Sequence, residues 1–105
     1  MAAPTVELLS IPGCPHHDAA RELVERIAVE AGIGANLRLV EIASLADAER
    51  IRFLGSPSVR VNGHDVEPGA DDRETFTLAC RVYRTASGLS GTPSEEWLRS
   101  ALNGS

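Results

Sequence analysis

The stretch Ser10-Ile11-Pro12-Gly13-Cys14-Pro15-His16-His17 sets a thiol, a rigid turn and two imidazoles at the point where an apolar run gives way to a helical pattern. A cysteine at a helix mouth lies at the positive end of the helix dipole, near backbone N–H groups without helical partners. Both favour the thiolate, the form that acts as nucleophile and metal ligand. His16 and His17 assist when protonated, and Asp18 opposes. Cys14 therefore reads as a reactive thiol. The bland alternative is a turn cysteine without chemistry.

The second thiol, Cys80, follows Thr75-Phe76-Thr77-Leu78-Ala79 and reads as a partly buried, packed cysteine away from Cys14. The sharper alternative is a resolving or co-ligating thiol carried towards Cys14. Cys14, His16, His17 and Cys80 are suitable types for zinc, copper or mercury. Adjacent histidines on a helix point about 100° apart, however, and rarely share one ion. The metal assignment stays open. His64 reads as an exposed turn residue. The paired acids Asp71-Asp72 and Glu95-Glu96 read as loop and helix-start charges. No phosphate loop, nucleophile elbow or dinucleotide fingerprint is present.

These residues need elements to hold them. Thr5 to Ile11 reads as a strand buried on both faces. Pro15 suits the first turn of a helix whose apolar stripe runs through Ala20, Leu23, Val24, Ile27, Ala28 and Ala31, with Gly32 as its stop. Leu37 to Ile42 is a second strand. Ser44 opens a short helix, with Asp47 as a weak capping box, and Gly55 closes it. Pro57 precedes a third strand, Ser58 to Val61. Asn62-Gly63 is a hairpin signal, so a fourth strand starts at His64 or Asp65 and runs towards Glu67. From residue 68 to 91 the pattern weakens: a short helix is expected after Asp71 or Asp72, and Cys80 to Arg84 alternates like a strand. Thr92-Pro93-Ser94-Glu95 is a capping box for a terminal helix that buries Trp97, Leu98, Ala101 and Leu102.

The expected fold is α/β: a mixed four-stranded sheet flanked by helices, in the order β-α-β-α-β-β-α, with an insert before the last helix. Residues 1–105 are read as one domain, long enough to bury a core without disulfide or metal. The net charge of −5 excludes the basic footprint of nucleic-acid binders and gives no attraction to anionic membranes. No run is long enough to span a membrane and the N-terminus lacks a secretory pattern, so a cytoplasmic location is expected. Two cysteines there read as thiols.

This element order, the Gly13-Cys14-Pro15-His16-His17 turn and the Gly55-Ser56-Pro57-Ser58-Val59 segment together resemble the thioredoxin-like superfamily. The hairpin after Pro57 looks glutaredoxin-like. The chain also looks similar to small bacterial members labelled alkylmercury-lyase-like. The resemblance covers residues 5 to 67 and the terminal helix. It implies a cis Ser56–Pro57 bond beside Cys14, with Ser56 and Pro57 binding substrate through β-type hydrogen bonds. It also implies a catalytic turn of Cys14, His16 and His17; Cys80, in the insert that the resemblance does not cover, joins the candidate catalytic residues only as the one other thiol. The turn departs from the family's Cys-Pro-His-Cys, because His17 replaces the resolving cysteine. The expected function is thus thiol–disulfide or thiol-conjugate exchange through one reactive cysteine, on a small-molecule or protein substrate. No cofactor is required; glutathione or another low-molecular-weight thiol is the candidate reductant. The alternatives are a soft-metal binding protein and a redox-inactive partner-binding module. The oligomeric state is left open.

Overall fold

The computed structural model describes residues 4–32, 34 and 36–103. The readings that touch residues 1–3 and the connection around 33 and 35 lie outside them. The order is β1 (Thr5–Ser10), α1 (His17–Glu30), β2 (Asn36–Glu41), α2 (Leu45–Arg50), β3 (Ser58–Val61), β4 (His64–Asp65), a 3-10 turn (Ala70–Asp72), β5 (Tyr83–Thr85), β6 (Gly88–Ser90) and α3 (Glu95–Asn103). The main sheet runs β2-β1-β3-β4. β1 pairs parallel with β2 and antiparallel with β3, and β3 pairs antiparallel with β4. The mixed four-stranded sheet expected from the element order is present.

β1 is central and must satisfy two apolar surfaces. Val6 and Leu8 face one way, into a cluster with Ala20, Val24 and Ile27 of α1, Val59 and Val61 of β3, and Leu98 and Leu102 of α3. Leu9 faces the other way, against Ile42, Ala48 and Phe53. Helices α1 and α3 thus cover one face of the sheet and α2 the other. Each fully buried leucine here contributes about 2 kcal/mol by leaving water. On the surface, Arg26 and Arg99 both pair with Glu30 and Glu95, lacing α1 to α3.

Local signals explain most boundaries, and some of them shift. The side chain of Ser44 accepts from Asp47 N–H at 3.1 Å and caps α2 as expected. Arg52, at φ +60°, takes the left-handed position after α2, so Gly55 does not close that helix. Asn62 and Gly63 both have positive φ, the geometry of a tight hairpin turn. β4 stops at Asp65 rather than reaching Glu67. The helix expected after Asp71 or Asp72 is only the 3-10 turn, and the stretch from Arg73 to Ala79 has no regular structure. Thr92 does not cap α3, because the helix begins at Glu95 and Thr92 lies too far before it. Ser94 caps instead, accepting from Glu96 N–H at 3.2 Å. No helix among the described residues is long and apolar enough to cross a membrane.

Candidate active site

Cys14 sits in the turn between β1 and α1, partly exposed and in no disulfide. Its N–H donates to Ile11 C=O, and its own C=O accepts from His17 N–H, each at 3.3 Å. Helix α1 starts at His17, so Pro15 lies in the turn before the helix rather than in its first turn. The cap residue His16 offers no side-chain hydrogen bond to the helix mouth. A shallow cleft of about 220 Å³ opens here, lined by Ser10, Ile11, Pro12, Gly13, Cys14, His17, Asp18 and Glu41.

The two histidines separate. His17 Nδ1 shares a hydrogen bond of 2.9 Å with Ser10 Oγ at the end of β1, which orients its ring in the cleft. His16 packs against Gly91, where an added Cβ would come within 2.6 Å of its ring. His64 is exposed and pairs with Asp71 at 3.2 Å. Among the described residues no three His, Cys, Asp or Glu side chains are grouped to hold a metal ion.

The Ser56–Pro57 bond is cis. Ser56 Oγ accepts from Ile11 N–H at 3.0 Å, which ties this segment directly to the turn that carries Cys14. Its surroundings differ from the expectation. Ser56 and Pro57 are fully buried, beneath the chain's own insert. Ser56 N–H donates to Ala79 C=O at 3.0 Å, and Ser56 C=O accepts from Arg81 N–H at 2.8 Å. Pro57 C=O accepts from Tyr83 O–H at 2.6 Å. The edge expected to pair with substrate is therefore satisfied internally, by a short parallel bridge between Ser56 and Cys80. Cys80 is exposed, not packed as its sequence context suggests.

Arg81 holds this insert in place. Its side chain is 3% exposed, as is that of its partner Asp65. NH1 donates to Asp65 Oδ2 at 2.7 Å and to Ser58 Oγ at 2.9 Å. NH2 donates to Asp65 Oδ1 at 3.1 Å and to Glu67 Oε1 at 2.9 Å. The guanidinium also lies over the Tyr83 ring, 4.3 Å from its centroid. Burial raises the Tyr83 hydroxyl above its ordinary range, so it stays a neutral donor to Pro57.

Sequence reasoning missed Arg81, Asp65, Glu67 and Tyr83, and the acids Asp18 and Glu41 beside Cys14. A signal existed for the first group. Strand-like alternation from Cys80 puts Arg81 and Tyr83 on one side and Cys80 and Val82 on the other, and Tyr83 is the large residue that seeks the interior.

Gly55 makes the close approach of the insert possible. Its φ is +124°, and a Cβ there would lie 2.9 Å from Arg81 Cβ and 3.3 Å from Ala79 O. Gly69, at φ +79°, has open space around it. Gly69→Ala is expected to cost about 1–2 kcal/mol from φ alone. Gly55→Ala should cost more, because backbone must also move, and should loosen the insert. Urea midpoints of the two variants measure the difference; equal losses would contradict this account.

Comparison with protein-family models, curated proteins and solved structures yields no match.

Proposed function

We propose that this chain is a thioredoxin-like thiol–disulfide exchange protein in which Cys14 is the nucleophile. The observation that carries the reading is the position of Cys14: a partly exposed thiol on the β1–α1 turn, in an open cleft, beside an imidazole oriented by Ser10. The strand order β2-β1-β3-β4 and the attachment of the Ser56 segment to that turn support it. The Cys14 thiolate attacks a disulfide, forming a mixed disulfide and expelling a thiolate. The His17 imidazole in the same cleft is suited to passing a proton to the departing sulfur.

The test uses the Cys80→Ser protein and bis(2-hydroxyethyl) disulfide. Intact mass and peptide mapping should show one mercaptoethanol adduct, on Cys14. An unreacted Cys14 under conditions that modify a free thiol would overturn the reading.

The cleft also selects by charge. Asp18 and Glu41 line it, and the chain carries a net charge of −5. Cationic cystamine should therefore react faster than anionic 3,3′-dithiodipropionate, after each rate is divided by that for a small neutral thiol. The ratio should shrink between 0.1 and 1 M salt, as the screening length falls from about 10 Å to about 3 Å. A faster anionic reagent would contradict the assignment of the cleft. The same carboxylates, and the occupied backbone of Ser56, argue against glutathione as the partner thiol.

A further inference from the structure

We propose that Cys80 is the resolving thiol, supplied by the insert in place of the cysteine that the Cys14–His17 turn lacks. The inference rests on the reading of Cys14 as nucleophile and names its intramolecular partner.

Three observations converge on it. First, one residue ties both thiols together. Ser56 pairs with Cys80 through its backbone, and its hydroxyl accepts from Ile11, whose carbonyl in turn accepts from Cys14 N–H. Bridge partners in a β pair project from the same face. Cys80 therefore leaves its strand on the side to which Ser56 Oγ points, that of the β1–α1 turn. Second, Cys80 is presented rather than stored. It is exposed, while its neighbour Arg81 and the following Tyr83 are buried and anchored to Asp65, Glu67, Ser58 and Pro57. A segment with a buried anchor so close to its cysteine does not present that thiol as a free loop tip would. Third, the far end of the same insert also rests on the turn, since Gly91 seats the ring of His16. The insert therefore meets the Cys14 turn directly at Gly91 and, at Cys80, through Ser56.

The chemistry closes on two thiols. Cys14 thiolate attacks RSSR and gives the mixed disulfide Cys14–S–S–R and RS⁻, which takes up a proton. The Cys80 thiol then loses its proton, attacks the Cys14 sulfur and expels the second RS⁻, which is protonated in turn. The substrate disulfide is reduced to two RSH, and the two protein thiols are oxidised to one Cys14–Cys80 disulfide. An external dithiol, or two monothiols, returns that disulfide to the starting state.

The experiment treats the reduced full chain with bis(2-hydroxyethyl) disulfide. It follows released thiol per protein and maps the product by mass spectrometry. The wild type should release two thiols per chain and end two hydrogens lighter, with a Cys14–Cys80 crosslink. That crosslink requires Cα atoms within about 7 Å. Cys80→Ser should release one thiol and stop at the Cys14 adduct. A wild type that also stops at the Cys14 adduct overturns the role of Cys80 and leaves Cys14 as nucleophile. A Cys14 that stays unmodified in both proteins overturns the nucleophile assignment and the resolving role with it. Far-UV circular dichroism of Cys80→Ser establishes that the comparison is between folded proteins; the exposed position of Cys80 makes serine a mild replacement there.

Discussion

Cys14→Ser is expected to reduce reaction with a disulfide to the level of an ordinary exposed thiol, and to abolish formation of the intramolecular crosslink. Cys80 is still present and exposed in that variant. It lies, however, on an irregular stretch bridged to Ser56, whereas Cys14 shares its cleft with the imidazole that Ser10 orients. Thiol–disulfide exchange depends on the thiolate fraction of the attacking group and on its access to the disulfide. Both thiols are accessible, and the β1–α1 turn adds at Cys14 an oriented imidazole suited to passing a proton to the departing sulfur. Release of mercaptoethanol from bis(2-hydroxyethyl) disulfide, followed under first-order conditions, measures the change. If Cys14→Ser kept the wild-type rate, Cys80 would be the nucleophile and the roles assigned here would be reversed.

Arg81→Met should cost about 3–5 kcal/mol, the range for leaving a buried charge without its partner. Methionine fills much of the volume, but Asp65, 3% exposed, then loses both of its guanidinium hydrogen bonds. Glu67 keeps only Arg73. Against a total stability of about 5–15 kcal/mol for a domain of this kind, the loss is large. Replacing Asp65 by leucine in the same chain should recover part of it, because an apolar pair carries no desolvation cost. The pH dependence provides an independent check. Burial pushes the Glu67 carboxyl up, but the hydrogen bonds from Arg81 and Arg73 outweigh it and hold the group below its ordinary range. A carboxyl lowered in the folded state stabilises above its unfolded pKa, about 4.3, and that contribution fades as pH falls through the folded value. The wild type should lose stability on acidification below about pH 4.3, and Arg81→Met should show a shallower loss. Urea unfolding at neutral and acid pH measures both. A cost below about 1 kcal/mol, the scale of surface pairs, would show that the insert is not anchored through Arg81.

Where one strong local preference decided the outcome, the chain was readable. Asn62-Gly63 bends as its φ preferences require, Ser44 caps through Asp47, and the apolar run of β1 is buried from both sides. Where two local signals competed, reading failed. Thr92 and Ser94 are both capping residues, and only the helix start at Glu95 decides between them. The insert resisted for a different reason. Its conformation rests on contacts distant in sequence, with Arg81 held by Asp65 and Glu67 and Ala79 paired with Ser56. An arginine in an alternating stretch reads as a solvent-facing residue until its carboxylates are placed beside it. The candidate site shows the same division. Cys14 and His17 could be found from their place between strand and helix. That Ser56 and Pro57 would be covered by the chain's own backbone depended on the insert, and no short-range pattern announces it.

The most direct measurement is the rate constant of Cys14 with bis(2-hydroxyethyl) disulfide at neutral pH, in the Cys80→Ser protein, folded and unfolded in urea. Each rate is referred to a free thiol in the same solvent. The account predicts that the folded chain reacts faster, because the β1–α1 turn holds the thiol in an open cleft beside an oriented imidazole that can pass a proton to the departing sulfur. A folded chain that reacts no faster than the unfolded one would contradict the claim that this fold is built to make Cys14 a nucleophile.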